Sequence, residues 1–150
     1  MKNLILILFI ALVSCSGSDD NNTASVNIDE NLAGKWSLIN YGKWPQGNFG
    51  YEKNDIIWEF HQDGTLIVTI NESVELHSEL PLPISGNYEC STFQTPQAYD
   101  FGYYDNLAIS GFPDTLGYRF HEFQTNYDLS LGHEDPTDGN SYWMNFKKIE

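Results

Sequence analysis

Apolar and polar residues alternate with a period of two over much of this chain. From Gly34 onward, Trp36, Leu38 and Asn40 fall on one side of an extended run, and Lys35, Ser37, Ile39 and Tyr41 on the other. Ile56, Trp58 and Phe60 oppose Ile57, Glu59 and His61 in the same way. Gln62-Asp63-Gly64 supplies a turn, and 65–70 returns, rich in β-branched side chains. Asp-Gly between two alternating runs is a strong local hairpin signal. A weaker run at 74–80 is bounded by Pro81 and Pro83, and another spans 84–90, with Gly86 placed for a bulge. Runs at 106–110, 116–123, 127–131 and 141–149 complete the set. No stretch sustains a helical period, and there is no internal repeat. Eight or nine short strands with turn signals between them predict an all-β domain, a barrel or a sandwich.

The opening residues follow a different pattern. Lys2 precedes an unbroken apolar run at 4–13, too short to span a bilayer as a helix. Leu12-Val13-Ser14-Cys15 then reads as a lipobox, so 1–14 is expected to be a cleaved signal and Cys15 the lipidated N-terminus of the mature chain. Two or three acyl chains on one residue make a stable membrane anchor. Ser16 to Thr23 is polar and turn-rich, and reads with its surroundings as a flexible tether over 15–31. Asp19-Asp20, just past the Cys, resembles the signal that sends some Gram-negative lipoproteins to the cell surface; a plain spacer is the alternative. The expected location is the outer membrane of a Gram-negative envelope, on its inner or its outer face.

Charge narrows the partners. The formal balance is −14 and becomes −15 once Lys2 is removed with the signal. Such a chain repels nucleic acid and anionic head groups. With Cys15 lipidated, Cys90 is the one thiol left, so no intrachain disulfide is available. Cys90 reads as a small buried apolar residue.

A family resemblance attaches to Leu32-Ala33-Gly34-Lys35-Trp36. Leu-x-Gly-x-Trp shortly after a lipidation site resembles the opening of lipocalin-like domains in bacterial lipoproteins. The resemblance implies an eight-stranded antiparallel up-and-down β-barrel over 32–150, or nine-stranded if every run is counted. It implies that Gly34 and Trp36 are structural, with Trp36 plugging one end. It gives Thr125-Asn126-Tyr127 the place of the family's Thr-Asp-Tyr, and Lys147 or Lys148 the place of a basic residue stacked on the Trp. The long first loop at 42–51 would lid the open end.

Aromatic residues make up 15% of the chain, and several fall between the strand runs. Trp44, Tyr51, Tyr99, Tyr103 and Tyr104 are the first-choice ligand contacts, because exposed rings stack on apolar faces, including those of sugars. The alternative is that they fill the core. Arg119 is the one Arg of the chain and is expected either to meet a ligand carboxylate or to sit on the outer wall beside a Glu. His61, His77, His121 and His133 have no metal-ligand spacing, so no metal or cofactor is expected. The loop from His133 to Asn140 lacks the closing Glu of a calcium loop. Asp114-Thr115-Leu116 resembles a bacterial O-glycosylation acceptor, or is a turn. No nucleophile–base motif or phosphate loop is present, and no enzyme is expected. The expected function is non-covalent binding of a small apolar or amphipathic ligand in the barrel mouth. A surface glycan-binding module and a structural subunit of an envelope assembly are the alternatives.

Overall fold

The computed structural model describes residues 28–95, 105–122, 126–134 and 141–149. Nine strands are present among the described residues: β1 (Gly34–Lys43), β2 (Gly47–Gly50), β3 (Ile56–Phe60), β4 (Thr65–Ile70), β5 (Gly86–Gln94), β6 (Asp105–Ile109), β7 (Leu116–Phe120), β8 (Leu129–His133) and β9 (Tyr142–Lys148). All pairings are antiparallel, and β9 pairs back onto β1. The result is a closed barrel. The first half of β1, Gly34 to Ser37, pairs with β3, and its second half, Asn40 to Lys43, pairs with β2. β2 and β3 are therefore one stave, interrupted at 51–55, and the barrel has eight staves in chain order. The interruption is held by Tyr51 N donating to Ile39 O at 2.9 Å and Asn54 N to Ser37 Oγ at 2.9 Å. Asn54 takes a left-handed φ of 73° there.

The expected all-β, eight-stranded, up-and-down barrel is thus the observed fold, with several local differences. β2 lies where a long first loop was expected; its Gly-Asn-Phe-Gly sequence carries no alternation to signal a strand. The run at 74–80 forms no strand. It belongs to a strap, 71–85, whose backbone makes turns such as Val74 N to Asn71 O and Leu80 N to His77 O. No bulge occurs at Gly86, which pairs regularly with Val68. The register shift lies instead between Leu38 and Asn40, opposite β9. The extra residue, Ile39, reverses the faces beyond it. Tyr41 therefore turns into the core, fully buried, while Asn40 moves to the outer wall.

The core is the barrel interior. Trp36, Trp58, Phe60, Leu66, Leu107, Leu116, Leu129, Leu131, Met144 and Phe146 are each at most 2% exposed. Trp58 packs against Phe146 with ring centroids 5.2 Å apart, and Trp36 against Phe120 at 6.0 Å. Such aromatic pairs add about 0.5–1.5 kcal/mol each beyond the burial of their area. Cys90 is buried as expected, and burial pushes its thiol up to about 11, with the Asp63 charge adding to the effect.

The two ends differ. At the base, where β1 starts, Gly34 takes a φ of 124° that favours glycine, and Trp36 follows directly. Trp36 Nε1 donates to Leu32 O at 2.8 Å, and Lys148 Nζ lies 4.9 Å from its ring centroid. Asp128, next after Asn126-Tyr127, accepts from Lys147 Nζ at 2.7 Å and from Lys148 N at 3.0 Å. Trp36, Asp128 and the Lys147–Lys148 pair thus lie together at this end; Thr125 lies outside the described residues. Residues 28–31, assigned by composition to the tether, pack here as well. Ile28 is buried, Asp29 N donates to Thr92 Oγ1, and Tyr118 Oη donates to Asp29 Oδ2 at 2.9 Å. At the opposite end, the mouth, the strap crosses between the β1–β2 turn and the β6–β7 turn.

Candidate functional site at the mouth of the barrel

The strap is laid across the mouth because its apolar residues cannot join a strand ladder yet must leave water. Leu80, Pro81 and Leu82 are buried, Pro81 cannot donate to a ladder, and Leu82 sits at a positive φ of 53°. Three residues of the barrel wall latch it. Tyr41 Oη donates to Glu79 O at 3.0 Å, Lys43 Nζ meets Glu79 Oε2 at 2.7 Å, and His77 packs its ring on Phe49 at 3.8 Å. The Lys43 ammonium holds the Glu79 carboxyl below the usual carboxylate range. Burial, then the Glu79 charge, pushes the Tyr41 phenol up to about 12.

A recess lies on each flank of the strap. The first, of about 440 Å³, lies between the strap and the β6–β7 turn. Its apolar lining includes Leu80, Leu82, Tyr88 and Phe112, and its polar groups include the Lys43–Glu79 pair and Asp114. Asp114 Oδ2 accepts from Tyr142 Oη at 3.0 Å. Burial foremost, then the Asp114 charge, drives the Tyr142 phenol far above its ordinary value, so Tyr142 is a fixed donor. Ile84, on the rim, is 69% exposed. The second recess, of about 660 Å³, lies between β2 and residues 75–78 and is lined by Asn48, Phe49, Tyr51 and His77 among others.

The expected ligand contacts fall in different places. Tyr51 borders the second recess, its hydroxyl accepting from His77 N at 3.4 Å. Trp44 stands at the tip of the β1–β2 turn, 67% exposed, with its N–H donating to Ser141 O. Arg119 points to the outer wall, exposed, in register with Ser130, because its neighbours Tyr118 and Leu131 take the inward positions. Tyr99, Tyr103, Tyr104 and Cys15 lie outside the described residues, as does most of the acidic loop, 135–140. The segment carrying the three tyrosines leaves from Gln94 and Asp105, which pair below Cys90 and Ile109 toward the base, so the described ends do not point to the mouth. Lys43, Glu79, Tyr88, Phe112 and Tyr142 were not among the expected contacts. Their one visible signal was apolar residues set among prolines, Leu80-Pro81-Leu82-Pro83 and Phe112-Pro113, where no strand can use them.

A polar ladder crosses the outer wall, on the face that also carries Arg119. His121 Nε2 meets Ser130 Oγ at 2.8 Å, Ser130 donates to Asn145 Oδ1, and Asn145 Nδ2 donates to Asn40 Oδ1 at 2.8 Å. Ser130 has one proton and gives it to Asn145, so His121 Nε2 is the donor in its own contact. The proton order runs away from His121, and the chain ties β8, β9 and β1 together. Burial, then the Arg119 charge, holds the His121 imidazole below its ordinary value. Among the described residues, no three His, Cys, Asp or Glu side chains gather as a metal site.

The chain matches no family model, no curated protein and no solved structure.

Proposed function

We propose that this chain is a membrane-anchored lipoprotein of the Gram-negative outer membrane, acylated at Cys15, whose lipocalin-like barrel binds a small amphipathic molecule at its mouth. The observation that carries the binding reading is the recess between the strap and the β6–β7 turn. Its apolar lining, with a few fixed polar groups, is the composition of small-molecule sites. The barrel interior is filled by Trp36, Trp58, Phe60 and Phe146, so the ligand seat is the rim and not a hollow core. An apolar body would lie on Leu80, Leu82 and Phe112, with its polar end toward Lys43–Glu79 or Asp114.

The uncharged fluorophore N-phenyl-1-naphthylamine tests this seat. It should brighten on adding the protein, and Phe112→Ala should weaken its binding about ten-fold, the loss expected for removing one well-packed ring. Equal affinity for Phe112→Ala and the unaltered protein would end the reading. A second reading, a glycan platform, is favoured by Trp44, whose ring is largely exposed at the mouth. A glycan array with Trp44→Ala as control separates it, because Trp44 does not line the recess.

A further inference from the structure

The second recess is bordered by a free sheet edge. β2 stands at the end of the strand order and pairs with β1 alone among the described residues. Below it, β3 is matched by β4 from Phe60↔Leu66 up to Ile56↔Ile70. There β4 ends, and Asn71 N turns back to Asp55 O at 2.8 Å, so among the described residues the outer edge of β2 has no ladder. Residues 75–78 face this edge across the recess without pairing to it. Their contacts to it are the His77–Phe49 ring pair and the 3.4 Å bond from His77 N to Tyr51 Oη.

The direction of the edge follows from strand alternation. Tyr51 N points to β1, onto Ile39 O. Backbone groups alternate sides along a strand, so Phe49 also faces β1, and the N–H and C=O of Asn48 and Gly50 face outward. The recess of about 660 Å³ beside Asn48, Phe49 and Gly50 leaves room along this edge for a neighbouring backbone. Unpaired edges of this kind are templates for an added strand.

Charge selects the occupant. Glu75 lines the recess, Glu52 and Asp55 flank Lys53 in the segment after β2, Glu72 lies in the strap, and Glu79 is engaged with Lys43. A second copy of the chain would bring the same −14 balance to the contact. We propose that the β2 edge and the recess beside it dock an extended, Lys- or Arg-bearing segment of a partner protein by strand addition. Two outward-facing residues allow only a short ladder, so the charges around it supply the selectivity and much of the on-rate. The proposal does not rest on the small-ligand seat across the strap.

The test uses the full-length lipoprotein in neutral detergent and a fluorescein-labelled octapeptide of alternating Lys and Val. Controls are its Glu-Val counterpart and a Lys-Val version N-methylated at every second residue. The Lys-Val peptide should bind at least about ten-fold more tightly than either control, and it should slow hydrogen exchange at the Asn48 and Gly50 amides. Gly50→Pro removes an outward donor and leaves the β1–β2 ladder intact, since the Gly50 N–H is not part of it. It should abolish slow exchange at Asn48 and weaken the peptide to the level of the methylated control. Glu75→Lys should weaken it as well. Equal binding of the methylated peptide, or binding indifferent to Gly50→Pro, would place the peptide elsewhere on the acidic surface and overturn the proposal. A dimer in analytical ultracentrifugation that Gly50→Pro dissolves would give the edge to a second copy and overturn it equally.

Discussion

Trp36 is the residue on which the base depends. Its indole N–H is satisfied by Leu32 O, its ring packs on Phe120, and Lys148 Nζ lies 4.9 Å from its ring centroid. Trp36→Ala should cost about 3–5 kcal/mol, read as a lowered urea midpoint. This role was legible from Gly34-x-Trp36 alone, because a strand start with a large apolar residue has few other uses. His121 was not legible, since its partner Ser130 comes from the next strand. With its folded value below the ordinary 6.5, His121 favours the neutral form in the fold. That contribution is complete above the unfolded value and is lost as the pH falls through it. Stability should therefore drop as the pH is lowered past about 6.5, and His121→Gln should flatten that part of the profile. Asp128 acts further down the scale. Burial raises its value, but Lys147 and the Lys148 N–H outweigh burial and hold it low, so its contribution is complete above the ordinary carboxylate value and is lost as the pH falls from there through the lowered one.

Among the elements, alternation identified β3, β4, β7 and β9 because each keeps one apolar face on the interior throughout. It misplaced Tyr41, because the shift at Ile39 exists only in the pairing of β1 with β9, a fact no local window contains. It also took 74–80 for a strand. Val74 and Leu76 do alternate with polar neighbours, but they are only half-buried against the barrel end, and Pro81 follows. β2 escaped notice for the opposite reason: a strand rich in glycine needs no pattern when its neighbour supplies the packing. Gly42, on β1, shows how tight that packing is. A Cβ there would collide with the Trp143 ring and with Asn48 Oδ1. Gly42→Ala should thus destabilise by about 1–3 kcal/mol, measurable as a fall in Tm, and Trp143→Ala in the same chain should recover part of it.

For the whole molecule, the sequence indicated the all-β barrel class and the acidity, and did not indicate the recess at the mouth. The recess at the mouth is assembled from β1, the strap, β5, the β6–β7 turn and β9, and no short motif spans such distances. The anchor has its own test: the full chain should sediment with membranes through a high-salt wash and enter solution in detergent, whereas Cys15→Ala should be released without detergent. The described chain enters the barrel at the base, where Ile28 is buried, at the end opposite the recess. Closure between β1 and β9 bears on the making of the protein. The side chains of Asn40 and Asn145 are joined across 105 positions of sequence, and the last strand to be synthesised completes the first. Contacts that distant form late and slowly. Until β9 is in place, β1 and β8 each lack a ladder partner, so closure of the barrel waits on residues 142–148.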